Sequence, residues 1–211
     1  MSAVHGTRQG ESIQAGMQFI REYQVPDPAV CDGLIACFEE CRSRGLVHRG
    51  RLGRQKVNLD LKNSYDLTLA NVPPEIQQSY AEVFKAYFGA LGDFLDDYMG
   101  RFSHLRTHTR PCHINESPNI QLYPPGGGFF EAHFENGGPD VAHRVLTFQT
   151  FLNDTTEGGG TRFVYQDYTC QPAKGKTILW PAGFTHVHCG VVAPKDEKYI
   201  ITGWWSYDRE N

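Results

Sequence analysis

From residue 119 to residue 207 the chain is written as short β-branched and aromatic runs, each cut off by a cluster of Gly, Pro, Asn or Asp. Strands are expected at Asn119–Tyr123, Ala132–Glu135, Arg144–Leu152, Thr161–Tyr165, Lys176–Trp180, His186–Val192 and Tyr199–Tyr207. Turn chemistry separates them: PPGGG at 124–128, NGGPD at 136–140, NDTTEGGG at 153–160 and APKDE at 193–197. Such a series does not make a helical bundle; it makes sheets that need an apolar partner. That partner is legible upstream. Val30, Leu34, Cys37, Phe38 and Cys41 recur at helical spacing between Pro28 and Arg44, with Asp27 and Pro28 suited to a helix start and Gly45 to its end. A second stripe, Ile76, Tyr80, Val83, Phe84, Tyr87, Phe88, Leu91 and Leu95, predicts a helix from Pro74 to about Met99. Helices first and strands after predict an α+β fold, with the helices backing one sheet of a sandwich or open barrel.

A length of 211 residues fits one domain, expected over residues 16–211, with helical support over about 16–100 and the strand-rich core over about 101–208. Residues 1–15 are polar and Gly-containing and are expected to form a loose tail. The net charge of −4 provides no general attraction to nucleic acid or to an anionic membrane, so neither is expected as a partner. One local exception is the basic cluster Arg42, Arg44, Arg49, Arg51, Arg54 and Lys56, read as a solvated loop or as a surface for an acidic partner or substrate. The opening MSAVHGTRQGES has no apolar leader, and no apolar run approaches the ~18 residues of a membrane span. A soluble, cytoplasmic protein is the expectation. Cys31, Cys37, Cys41, Cys112, Cys170 and Cys189 show neither a C-x-x-C pair nor a dense secreted framework, and read as buried free thiols.

Chemistry concentrates at His133-Phe134-Glu135. In a strand, residues two apart project from one face, and two strand steps span roughly 6.5–7 Å. Side chains of this length can therefore converge on one ion. A third ligand would complete two histidines and one carboxylate on one side of a metal, the facial arrangement of non-heme Fe(II) oxygenases. Taken alone, H-x-E occurs by chance in many proteins. The runs Gly126–Gly128 and Gly158–Gly160 read as tight turns, since neither opens a helix nor carries a P-loop ending. His5, His48, His104, His108, His113 and His143 lack ligand spacing with one another and read as surface or loop residues.

The C-terminal half resembles the 2-oxoglutarate- and Fe(II)-dependent dioxygenases, and among them the prolyl 4-hydroxylase-like branch. The matching text is YPPGGGFFEAHFE, RVLTFQTFLND, EGGGTRF, PAKGKTILWP and HCGVVAPKDEKYIITGW, in the family's order and near its spacings, over about residues 119–208. The resemblance implies a double-stranded β-helix (jelly-roll) core with the N-terminal helices packed on one sheet. It implies Fe(II), 2-oxoglutarate and O2 as cofactors, with ascorbate as an accessory reductant. It places the metal on His133, Glu135 and His188. His186 is the rival for the last position; Lys198, ten residues past His188 as the family's basic residue stands, selects His188. Lys198 is then implied to bind the far carboxylate of 2-oxoglutarate, with Tyr123 as a second anchor and Thr202 on the same face. No catalytic residue beyond the metal site is implied.

Two departures from the family pattern stand out. Glu135 occupies a position where most relatives carry Asp, preserving ligand charge and arguing against halogenase chemistry. Phe151 occupies a position where some relatives carry a Tyr that touches the cosubstrate, a contact that is then either missing or supplied elsewhere, by Thr150 or Thr161. Arg144 opens a core strand and is read as a structural salt-bridging residue, with orientation of groups behind the metal ligands as the alternative. The implied activity is hydroxylation of a C–H bond, first of a prolyl residue in a peptide or protein, with succinate and CO2 as coproducts. A free amino acid or small metabolite is the alternative target, and a non-catalytic cupin-like metal-binding module the alternative class. The segment Leu46–Leu69 and the loop Asn136–His143 are candidates for a lid or peptide groove.

Overall fold

The apolar stripe of the first expected helix does fold as one. Helix α1 (Ala29–Ser43) buries Val30, Cys31, Leu34, Cys37, Phe38 and Cys41. The Asp27 carboxylate accepts from the Ala29 amide at its start, and Gly45, at φ 71°, turns the chain away at its end. The computed structural model describes residues 19–51 and 57–208. The expected tail over residues 1–15, His5, and Arg54 and Lys56 of the basic cluster lie outside these residues.

The second stripe forms two helices rather than one, α2 (Pro74–Ser79) and α3 (Ala81–Arg101). They are separated at Tyr80, whose backbone (φ −107°, ψ 15°) leaves helical geometry and whose hydroxyl donates to Glu40 on α1. A short α4 (Ser103–Thr107) follows.

The strands are β1 (Arg21–Gln24), β2 (His48–Arg49), β3 (Tyr65–Thr68), β4 (Cys112–His113), β5 (Asn119–Tyr123), β6 (Arg144–Phe151), β7 (Thr161–Phe163), β8 (Tyr168–Cys170), β9 (Lys176–Pro181), β10 (His188–Gly190) and β11 (Lys198–Tyr207). Among the described residues eight of them form one antiparallel sheet in the order β1-β9-β6-β11-β5-β3-β2, with β4 also on β11. The other three form a small sheet, β10-β7-β8. The architecture is thus mixed α/β with antiparallel sheets. Two expected strands are corrected. Within Ala132–Glu135 only His133 pairs, through an isolated bridge to His188. The run His186–Val192 becomes a strand only at His188, because Phe184–His186 is a 3-10 turn.

Period-two alternation sorts the large sheet into two faces. Leu67, Ile120, Leu122, Leu146, Phe148, Leu179, Tyr199, Ile201 and Trp205 join α1 and α3 in the main core. Phe38 meets Tyr199 edge-on, and the Tyr87 hydroxyl of α3 bonds Thr150. On the other face Tyr123, Phe151, Ile178, Trp180 and Ile200 pack with Phe163 and Cys170 of the small sheet. Each fully buried side chain of this size contributes roughly 1.5–3 kcal/mol. The two sheets are tied by the turn at residues 153–160. Gly158, at φ 68°, lies so near the Val192 carbonyl oxygen that a Cβ would sit 2.0 Å from it, which only glycine tolerates. No helix among the described residues is long and apolar enough to cross a membrane.

Candidate active site

The bridge between His133 and His188 builds the centre of the site. Each residue's amide donates to the other's carbonyl at 2.9 Å, and the Glu135 amide donates to Ala182 at 2.9 Å. These bonds place both imidazoles on one side, with ring centroids 4.5 Å apart. Phe129 stacks on His133 at 3.8 Å and Trp180 meets His188 edge-on at 5.0 Å, which holds both rings in place. His133 Nδ1 lies 2.8 Å from the Glu131 carbonyl, and His188 Nδ1 lies 3.0 Å from the His186 carbonyl. A carbonyl only accepts, so each Nδ1 carries a proton, and Nε2 is the nitrogen left for a metal. Both Nε2 atoms face Glu135 Oε1, at 3.6 Å from His133 and 3.2 Å from His188. The three ligand atoms all lie within 4.8 Å of one another.

Burial alone would raise the Glu135 pKa, but the bonds and charges of His188 and His133 outweigh it and hold the carboxyl well below the usual carboxylate range. Arg144 adds to this arrangement from outside. Its Nη1 donates to the Glu135 carbonyl at 3.1 Å and stands 3.6 Å from Glu135 Oε2. Its guanidinium lies 3.6 Å over the Trp204 ring and pairs in a fork with Glu116. Glu116 also sits 3.3 Å from His143 Nε2, so His143 is a largely buried member of this group rather than a surface histidine. His186 stands apart from the cluster. Its ring lies edge-on to Phe19, and its link to the site is the backbone carbonyl that orients His188.

The cluster opens into a cavity of about 1000 Å³. Lys198, Tyr123 and Thr202 all line it, as do Trp204, Gln149 and Thr161. Lys198 and Tyr123 are opposite one another in register on β11 and β5, with the ammonium 4.9 Å from the tyrosine ring centroid. Lys198 is 3% exposed, and burial lowers its pKa from 10.5 to about 8; no carboxylate among the described residues faces it. The Thr202 hydroxyl donates to the Phe148 carbonyl at 2.9 Å. Thr150 is excluded from the cavity, because its hydroxyl bonds Tyr87 and Thr177 on the helix side. Thr161 does reach it, paired with Gln149 at 2.9 Å.

Sequence reasoning missed a buried polar chain on the same wall: Lys62 donates to Asp66 at 2.7 Å, and Gln121 donates to Asp66 at 3.3 Å. Its only outward signal was Asp66 alternating with Tyr65 and Leu67. The basic cluster divides. Arg42 pairs with Glu39, Arg44 with Glu40 and Glu75, and Arg49 lies over Tyr65, whereas His48 and Arg51 line the cavity. No disulfide joins the six cysteines, and burial pushes the Cys31 thiol up to about 11 and Cys37 to about 12.

Residues 118–206 match the model of the 2OG-Fe(II) oxygenase superfamily, the stretch that carries β5 through β11, His133, Glu135 and His188. Over that stretch the chain is similar to the superfamily. The superfamily's name states Fe(II) and 2-oxoglutarate for its members. A probable prolyl 4-hydroxylase 9 of Arabidopsis thaliana is 23% identical over 80% of this chain. The chain spans 65% of the length of that relative. In fold it is similar to a Pseudomonas putida prolyl-4-hydroxylase, with a TM-score of 0.68 at 17% identity over 92% of this chain and 99% of the other. It is also similar to a Trichoplax adhaerens prolyl hydroxylase solved with a hypoxia inducible factor peptide, with a TM-score of 0.70 at 15% identity over 92% and 86%.

Proposed function

We propose that this chain is a member of the 2OG-Fe(II) oxygenase superfamily and an Fe(II)- and 2-oxoglutarate-dependent hydroxylase acting on a prolyl residue of a peptide or protein. The observation that carries the reading is the convergence of His133, Glu135 and His188 on one point of a cavity whose wall holds Lys198, with no facing carboxylate among the described residues. Two imidazoles and one carboxylate are a donor set that suits Fe(II) and leaves other positions open. His133 and His188 would bind through Nε2, their Nδ1 protons being committed to carbonyls. Glu135 would supply the anionic ligand. Bound Fe(II), with 2-oxoglutarate and O2, supplies oxidative decarboxylation to succinate and CO2 coupled to hydroxylation of a C–H bond.

The chain's own residues bind, orient and exclude water. A buried ammonium is costly unless an anion joins it, so Lys198 is built to receive a carboxylate of the cosubstrate. Phe129, Trp180 and Ile200 give the cavity apolar walls beside these charges. His48, Arg51, Gly137 and Val141, from the segments flanking the mouth, line its outer part and support a groove for an extended peptide. The prolyl target is supported by the relatives' names. The core strands fit a double-stranded β-helix, and six free thiols suit a reducing, cytoplasmic setting.

Purified chain with Fe(II), ascorbate and 2-oxoglutarate is expected to form succinate above a metal-free control. Proline-containing peptides are expected to gain the mass of one oxygen atom. Absence of both 2-oxoglutarate binding and succinate formation overturns the assignment. Succinate coupled instead to oxidation of a free amino acid would move the target and keep the chemistry.

A further inference from the structure

The polar chain on the cavity wall has a direction, and the direction reaches Tyr123. Asp66 and Gln121 stand opposite one another in the β3–β5 pairing, and Tyr123 is two residues farther along the same face of β5. Asp66 Oδ2 accepts from Lys62 Nζ at 2.7 Å and from Gln121 Nε2 at 3.3 Å; Oδ1 accepts from Ser64 at 2.7 Å. Lys62 and Asp66 are 4% and 5% exposed, so water does not compete for these bonds. An ionised carboxylate only accepts. Gln121 must therefore turn its NH2 toward Asp66 and its carbonyl toward Tyr123. The Tyr123 hydroxyl then donates to Gln121 Oε1, at 2.7 Å. A phenol has one proton, and here it is committed to Gln121.

We infer that the Lys62–Asp66–Gln121 chain makes Tyr123 a hydrogen-bond acceptor toward the cavity, leaving Lys198 as the donor for a bound carboxylate. This inference rests on the proposed reading of the cavity as a 2-oxoglutarate site, and gives Tyr123 a role opposite to the one the resemblance implies. A lone pair facing a carboxylate repels it and attracts a ligand N–H or O–H. Gln121 and Asp66 thereby act as positioning residues that set which ligand groups the wall accepts.

Two measurements test this, one without ligand. The Raman tyrosine doublet, taken as the difference between the chain and its Tyr123→Phe variant, is expected to carry a strong-donor signature that Gln121→Leu abolishes. Calorimetry with Mn(II) and 2-oxoglutarate is the second. Tyr123→Phe alone is expected to leave the Kd unchanged or slightly tighter, since it removes a repelling lone pair. Gln121→Leu, which frees the phenol proton to face the carboxylate, is expected to tighten it by about tenfold. Adding Tyr123→Phe to Gln121→Leu removes that gain. Asp66→Asn, which lets the Gln121 amide turn over, moves the Kd in the same direction and guards against a local packing defect at Gln121. A tenfold weakening by Tyr123→Phe alone, or an acceptor signature in the Raman difference, overturns the inference. Absence of 2-oxoglutarate binding in every variant overturns the proposed function instead, and the ligand-free Raman result still decides the direction of the chain.

Discussion

On β11 the residues that face helices α1 and α3 are Tyr199, Ile201 and Trp205, whereas those that face the cavity are Lys198, Ile200, Thr202 and Trp204. The same division runs through β5, where Ile120 and Leu122 join the main core while Asn119, Gln121 and Tyr123 line the cavity. Neighbouring residues of one strand thus serve opposite ends. The helix face is packed carbon and carries stability. The cavity face buries an ammonium, an ion pair and a hydrogen-bonded amide, groups whose desolvation opposes folding. What the contrast teaches is that substitutions on the two faces should separate cleanly, one set moving stability and the other moving ligand binding.

The largest effect is expected at the His133–Glu135–His188 cluster, the candidate metal site. His133→Ala removes one of three converging ligand atoms from a side chain that is 24% exposed. Succinate formation and Mn(II) binding should fall to background while the thermal midpoint of the metal-free chain stays near its original value. A large drop in that midpoint would show that the two faces are not separable at this point. The reciprocal test lies across the sheet. Phe148, fully buried on the helix face and tilted against Trp205 at 4.9 Å, should cost about 3–5 kcal/mol of folding stability as Phe148→Ala. Denaturant unfolding measures the loss, and the 2-oxoglutarate affinity of the remaining folded protein should be unchanged.

Arg144 sharpens the comparison because it belongs to the site without belonging to the cluster. It braces Glu135 at both carbonyl and carboxylate, and is itself fixed by Glu116 and Trp204. Arg144→Gln is expected to weaken Mn(II) binding by about 10- to 100-fold, the range for groups that orient a metal ligand. An unchanged affinity in a manganese titration would mean that the longer Glu135 side chain holds its place through the histidines alone.

Much of this division was legible in the sequence, because it is periodic. The stripe Val30–Leu34–Cys37–Phe38–Cys41 announced α1, and alternation in NIQLY and KYIITGWW announced both faces of β5 and β11. His133, Glu135 and His188 were recoverable from spacing and resemblance, and the fold brings their ligand atoms together. What escaped was whatever periodicity does not encode. His186 appeared to share a face with His188, but the 3-10 turn at Phe184–His186 breaks the alternation between them. The second helix breaks at Tyr80, where a hydroxyl reaches a glutamate 40 residues away. The link from Gln121 to Asp66 joins residues 55 apart, and only the β3–β5 pairing makes them neighbours.

The smallest predicted effect is a pH dependence, and it comes from the least comfortable residue of the cavity face. Burial lowers the Lys198 pKa from 10.5 to about 8. Below that value the ammonium is present to hold a carboxylate; as pH rises through it the charge is lost. The 2-oxoglutarate affinity should therefore fall by about tenfold between pH 7 and pH 9, with proton uptake on binding at the upper end. Calorimetry in buffers of different ionisation enthalpy measures both quantities. The folding linkage runs the other way. Between about 8 and 10.5 the unfolded chain holds a proton on Lys198 that the folded chain has released, so this group's penalty on the ligand-free fold shrinks as pH climbs through that window. Lys198→Met and Lys198→Arg should each remove both slopes, but only Lys198→Arg should keep the carboxylate bound, since a guanidinium stays charged throughout. A binding slope that survives Lys198→Arg would place the titrating group elsewhere and detach Lys198 from the anion.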